Sequence, residues 1–356
     1  MDTVLVHEWL TNRAGSEKVV AALRRTFPGA PVVTTMCWPE AFPDWTPIVT
    51  SPLQRAARGP QSHVRVLPLM PAAFQAVRLP PAELVVTSFH TFALWARVPR
   101  DTPHLVYCHT PPRFIWGPSQ FDERSRWSRR LAAVTGTALR RADRARAGRP
   151  TRLVANSMTV ASRIRAAYGR EATVVHPPVA VERFAARAHG RREDYFLVLS
   201  RLVPAKRVEL AIAAFTELSW PLVVAGTGRN RPALEASAPA NVRFVGHVPD
   251  EDLPDLMAGA RALICPSEED FGIALVEAMA AGTPVVALAR GGAVETVHPD
   301  ESGVLFAEET AKGLADAVRR AAARDWDPDQ VSATTRRYSE ARFDAEIRAV
   351  VAELTA

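Results

Sequence analysis

The chain has 356 residues, 47% of them hydrophobic and 23% charged, with three cysteines and a formal net charge of +6. That length accommodates two domains of ordinary size, and the composition is that of a globular protein rather than a disordered or fibrous one. No apolar run reaches the roughly 18 to 20 residues of a membrane-spanning helix.

The N-terminus, MDTVLVHEWL, has neither the basic region nor the small-residue cleavage site of a signal peptide. Cys37, Cys108 and Cys265 are odd in number and far apart, so they form no CxxC pair or disulfide framework. A cytoplasmic protein is expected. Charge divides unevenly. Residues 1–190 hold 26 Lys and Arg against 12 Asp and Glu, while residues 191–356 hold 18 against 26. A basic half could face anionic lipid, a phosphorylated acceptor or nucleic acid, or be a solvated Arg-rich surface.

In chain order, Val- and Leu-rich runs predict strands at 3–7 (TVLVH), 83–88 (ELVVTS), 104–109 (HLVYCH), 152–157 (RLVANS) and 195–200 (YFLVLS). Further runs follow at 221–226 (PLVVAG), 242–246 (VRFVG), 262–267 (ALICPS) and 284–288 (PVVAL). They lack strict alternation, as parallel strands buried on both faces do. Helical patterns at 17–26, 158–167 and 208–218 fall between them. The repeated β-then-α rhythm predicts two doubly wound parallel-sheet domains. The polar stretch ARAHGRREDY, 186–195, marks the boundary. Domains at 1–190 and 191–335 are expected, with 336–356 a terminal helix packing back toward the first.

Open α/β sheets bind ligands at the carboxyl ends of their strands. After YFLVLS come Arg201 and Lys206, a planar fork and a point charge that together suit a diphosphate, or else a merely basic loop. Gly226 and Gly228 follow PLVVA, where a ligand could approach the backbone closely, but no third glycine completes a dinucleotide fingerprint. In PSEEDFGIALVEAMAAGTPVV, Glu268, Glu269 and Asp270 precede a helix from about Gly272 to Ala281, which Gly282 ends. Acids there satisfy a helix dipole whatever else they do. Two carboxylates, Glu269 and Glu277, would repel a diphosphate, so sugar hydroxyls are the better partners. The Phe271 and Gly272 amides offer donors to an anion or a sugar oxygen.

These motifs together resemble the retaining glycosyltransferases of family 4. The chain shows P-S-x-E, then seven residues and a second Glu, then AMAAGTPVV and GG..E. SRLVPAKR is similar to that family's diphosphate element. HEWLTNRAGSEKVV, LPLMPAAF, YCHTPPRFIW and VANSMTVASRI look like the WbaZ-like mannosyltransferase branch, so the resemblance spans nearly the whole chain. One departure is Gly15-Ser16 where the family usually has Gly-Gly.

The resemblance implies a GT-B fold, two Rossmann-like domains facing across a cleft. It also implies transfer of a hexose, mannose favoured, from a nucleoside-diphosphate sugar, GDP favoured, to a hydroxyl of a glycan, glycolipid or small glycoside. UDP- and dTDP-sugars are alternatives. Arg201 and Lys206 would neutralise the leaving diphosphate, Glu269 would hold donor-sugar hydroxyls, and Glu277 the ribose. Gly226, Gly228, Asp270, Phe271, Gly272, Gly15 and Ser16 would complete the donor site. His109 would lie near the donor sugar as a functional residue or as a structural hydrogen-bonder. His7, Glu8, His90, Arg113 and Trp116 are acceptor-side candidates, with turn or packing roles as the alternative.

No metal or other cofactor is expected. The one D-x-D candidate, DWDPD at 325–329, lies beyond the sheets and is broken by Pro328. The Arg-rich stretch 124–152 could rest on a membrane surface or be solvated. No nucleic-acid reading motif or aromatic platform is present. Rival readings are an inactive regulatory protein on the same fold and a nucleotide-sugar epimerase. The first would lack Arg201, Lys206 and the glutamate pair, and the second would carry a proton-transfer pair near the sugar.

Overall fold

A computed structural model describes residues 1–11, 13–56, 58–59, 62–117 and 126–355, with the side chains of 64 and 126–135 left outside the description. The chain divides into two units, Met1–His176 with Phe343–Ala356, and Pro177–Arg342.

The first unit holds a seven-stranded sheet in the order β3-β2-β1-β4-β5-β6-β7. Its strands are β1 (Thr3–His7), β2 (Val32–Thr34), β3 (Ile48–Thr50), β4 (Leu84–Phe89), β5 (His104–Cys108), β6 (Arg152–Ala155) and β7 (Thr173–Val174). Every pair is parallel. The sequence runs look continuous because both faces are covered. Val4, Val6, Val85 and Val106 enter one core layer. Leu5, Val86, Leu105 and Tyr107 enter the other, with Val19, Val20 and Leu23 of the helix Gly15–Thr26. Phe343, Ile347, Val350 and Val351 of the helix Glu340–Thr355 join that same layer.

The second unit holds a six-stranded sheet, β10-β9-β8-β11-β12-β13. Its strands are β8 (Phe196–Leu199), β9 (Leu222–Ala225), β10 (Val242–Gly246), β11 (Leu263–Cys265), β12 (Val285–Leu288) and β13 (Gly303–Phe306). These pairs are parallel as well. Phe196 and Val198 face one layer and Leu197 the other. In each sheet the strand order reverses beside the first strand of the unit, between β1 and β4 and between β8 and β11. Ligands of open α/β sheets collect at the carboxyl ends there.

All nine strand runs read from the sequence form strands. The four not foreseen are β2, β3, β7 and β13, of two to four residues each. The unit boundary falls at 176/177 rather than at 190/191. The cause is packing: Val181 and Phe184 of the helix Val181–Ala185 are buried in the second unit's core. Tyr338 belongs to that core too, so the return to the first unit comes at Phe343 rather than at 336.

Candidate functional site

In the second unit, the loop after β8 turns through a single 3-10 turn, Pro204–Lys206, with Arg207 left-handed at φ 51°. It delivers Lys206 to Glu269. The ammonium donates to both carboxylate oxygens, Nζ to Oε1 at 2.6 Å and to Oε2 at 2.7 Å. Ser267 Oγ adds a bond to Oε1 at 3.0 Å. Both side chains of the ion pair remain about one-fifth exposed, 22% and 21%. Beneath them the Cys265 thiol is pushed up to about 12, by burial first and then by the Glu269 charge. Arg201, five residues before Lys206, is exposed.

The loop after β11 is held by its neighbours' backbone. Gly292 N donates to Glu269 O at 2.8 Å. A Cβ on Gly291 would stand 2.2 Å from Glu269 O, and one on Gly292 would stand 2.3 Å from Phe271 Cα. Gly291 also has φ +63°. Phe271 is buried, edge-on to Tyr338 with centroids 5.3 Å apart. Gly272, at φ 92°, then turns the chain into the helix Ile273–Ala280, whose N-terminal amides follow. Asp270 is half-buried. Glu277 lies within the helix and is only 4% exposed.

Gly226 and Gly228 meet the backbone of the loop after β8. A Cβ on Gly226 would lie 1.9 Å from Ser200 O, and one on Gly228 2.2 Å from Leu202 O. The close approach is therefore by the adjacent loop, which Leu202 N to Thr227 O at 2.8 Å ties down. These glycines place the Arg201–Lys206 loop.

In the first unit, His7, His90 and His109 stand at the ends of β1, β4 and β5. His90 lies 6.1 Å from His7 and 6.0 Å from His109 between ring centroids. Trp9 meets His90 edge-on at 5.0 Å and stacks on His63 at 4.5 Å. His7 is fully buried, with Nδ1 3.1 Å from Ser88 Oγ and Nε2 3.5 Å from Glu17 Oε1. Ser88 Oγ is 2.8 Å from His109 Nε2. Burial, then the nearby His90 and His7, hold the His109 imidazole well below its usual range. Glu17 is held below the ordinary carboxylate range: burial opposes this, but the His7 hydrogen bond and charge outweigh it.

Glu8 is fully buried and spent on the chain itself. It accepts from the amides of His90 at 3.0 Å, Thr91 at 2.6 Å and Phe92 at 2.8 Å. It thus shapes the His90 loop, and His7 is likewise interior. Trp116 is half-buried. Its Nε1 donates to Asp143 Oδ2 at 2.7 Å, and its ring meets Tyr168 edge-on at 5.7 Å. Arg113 is exposed at the start of the helix Arg113–Trp116. Ser16 Oγ donates to Glu17 Oε2 at 2.9 Å, beside exposed Gly15. Glu17 and Ser88 were not singled out from the sequence. Glu17 sits three residues after the residue preceding its helix, a capping position, and accepts from Ala14 N at 3.1 Å.

Asp327 caps the helix Pro328–Ala333 by accepting from Asp329 N at 2.9 Å, so DWDPD is a helix start. Among the described residues no group of three or more His, Cys, Asp or Glu could hold a metal ion. Residues 124 and 125 of the Arg-rich stretch, and the side chains of 126–135, lie outside the described residues. Among those described, no helix is long and apolar enough to cross a membrane.

Residues 182–338 match the family Glycosyl transferases group 1. Over 162 residues the chain is 36% identical to a glycogen synthase of Mycobacterium tuberculosis, covering 42% of this chain and 39% of that protein. Over 199 residues it is 35% identical to a GDP-mannose-dependent alpha-(1-6)-phosphatidylinositol monomannoside mannosyltransferase of Mycolicibacterium smegmatis, covering 46% and 52%. The chain thus spans about half or less of the curated relatives it matches. The crystal structure of Anabaena HepE in complex with UDP-glucose superposes with a TM-score of 0.71 at 18% identity, over 99% of this chain and all of that one. The matched stretch contains Arg201, Lys206, Glu269 and Glu277, and excludes every candidate of the first unit. The chain therefore has the GT-B fold, and its residues 182–338 are similar to the family Glycosyl transferases group 1.

Proposed function

We propose that the protein is a retaining glycosyltransferase that moves a hexose from a nucleoside-diphosphate sugar to a hydroxyl of a glycan, glycolipid or small glycoside. The observation that carries this reading is the Lys206–Glu269 pair, fixed between two glycine-pinned loops at the switch point of the second sheet. An ammonium and an exposed guanidinium suit a diphosphate, and an adjacent carboxylate suits hydroxyls. On binding, Lys206 exchanges a carboxylate for the diphosphate, and Glu269 turns to the sugar. Arg201 shares the diphosphate charge, Glu277 takes the ribose, and the amides at Phe271 and Gly272 bind an anion or sugar oxygen. Of the first unit's residues, His109 is the candidate for a donor-sugar contact, and His90 and Arg113 are the candidates for the acceptor. No metal or other cofactor takes part.

GDP-mannose is the favoured donor, because a relative of 35% identity is named for it. A thermal-shift panel of nucleoside diphosphates and their sugars tests the reading, since a ligand bound to the native state raises its apparent stability. Stabilisation by GDP and GDP-mannose alone is expected. Stabilisation by a uridine or thymidine series instead would replace the donor. No response from any of them, in folded protein, would sink the transferase reading.

A further inference from the structure

Glu17, His7, Ser88 and His109 come from four separate segments, yet all four lie on one face of the first sheet. His7, Ser88 and His109 continue the parity of Leu5, Val86 and Tyr107, which enter the core layer that the helix Gly15–Thr26 covers. The β1–β4 register sets His7 opposite Ser88, and Ser88 is opposite Tyr107, two residues before His109. The result is a continuous series. Glu17 Oε1 is 3.5 Å from His7 Nε2, His7 Nδ1 is 3.1 Å from Ser88 Oγ, and Ser88 Oγ is 2.8 Å from His109 Nε2. Its first three members are 3%, 0% and 1% exposed, so water does not compete for these groups.

The donors and acceptors then follow from chemistry. Glu17 is ionised, takes hydrogen bonds from Ala14 N and Ser16 Oγ, and can only accept. His7 must therefore carry a proton on Nε2. Where His7 is neutral, Nδ1 is a lone pair, so the Ser88 hydroxyl donates to it; a protonated His7 would donate to Ser88 instead and reverse the series. A serine oxygen whose hydrogen is committed can only accept from its other neighbour, and that neighbour is His109 Nε2. Each link directs the next.

We propose that Glu17, His7 and Ser88 are positioning residues that hold His109 as the Nε2–H tautomer, leaving Nδ1 as a hydrogen-bond acceptor. Such control of a ring by the partner of its second nitrogen is general for histidine. Asn156 Nδ2 donates to the carbonyl of His109 at 3.0 Å and fixes its backbone. The class of group that Nδ1 accepts, a sugar hydroxyl, rests on the transferase reading. The tautomer itself does not.

Nitrogen-15 NMR of the histidine rings in the whole protein, without nucleotide, reads the two nitrogens separately. The expected spectrum gives His109, assigned by loss of its signals in His109→Gln, a protonated Nε2 and an unprotonated Nδ1. Ser88→Ala is expected to shift both signals toward the average of exchanging tautomers. A protonated Nδ1 in the wild type, or a Ser88→Ala spectrum with His109 unchanged, overturns the proposal. If Ser88→Ala does not fold, the wild-type spectrum decides alone. A failed nucleotide screen with the expected spectrum would remove the transferase reading and leave the relay standing.

Discussion

At position 8 a carboxylate is buried with three successive amides donating to it. Removing it strands those amides away from water, and each buried unsatisfied group costs about 1–3 kcal/mol. Glu8→Ala is therefore expected to lower unfolding free energy by at least about 3 kcal/mol, measured by denaturant unfolding. A change within about 0.5 kcal/mol would contradict the assignment. Asp143 differs. Its Oδ2 accepts from Trp116 and Tyr168, but its Oδ1 has no partner among the described residues, and burial raises its carboxyl to about 6 from 3.8. The native state holds this proton more tightly than the unfolded chain, so its contribution is full below about pH 4 and lost as pH rises through 6. Asp143→Asn keeps an acceptor for Trp116 and Tyr168 without the charge. Its stability relative to wild type is expected to rise by about 2 kcal/mol between pH 4 and pH 7. A difference that stays flat with pH would refute the assigned shift.

Among elements, the loops that build the site are shaped by glycines that meet backbone. Gly292→Ala would push the Phe271 backbone away from the loop after β12. A loss of about 1–3 kcal/mol in stability, with weaker nucleotide binding, is expected from unfolding and titration. Full affinity would show that the loop does not need this anchor. The strands and the helix Val208–Leu218 were legible because buried parallel strands and amphipathic helices leave strong local patterns. Lys206 and Glu269 were legible as candidates, but their ion pair joins residues 63 apart in sequence. Ser88 carried no local signal. It matters only because β1 and β4 are neighbours in a set register, which no window of sequence contains. Gly226 and Gly228 were legible as close-approach sites, but the neighbouring-loop carbonyls of Ser200 and Leu202 that they meet were not.

Over the whole molecule, the charge split survives the corrected boundary. The first unit carries 25 Lys and Arg against 14 Asp and Glu, and Pro177–Arg342 carries 19 against 24. A nucleoside diphosphate is thus proposed to bind the net-acidic unit, so its attraction must come from nearby cations rather than from the unit's overall field. Lys206 is central, and Glu269 now occupies it. Isothermal titration of GDP into wild type, Glu269→Ala and Lys206→Ala tests this directly. Affinity in Glu269→Ala equal to or tighter than wild type is expected, because the ammonium is released. Lys206→Ala is expected to bind at least about tenfold more weakly, the loss of one charge-assisted contact. Wild-type affinity in Lys206→Ala, or no binding of any nucleoside diphosphate to the folded wild-type chain, would contradict the account.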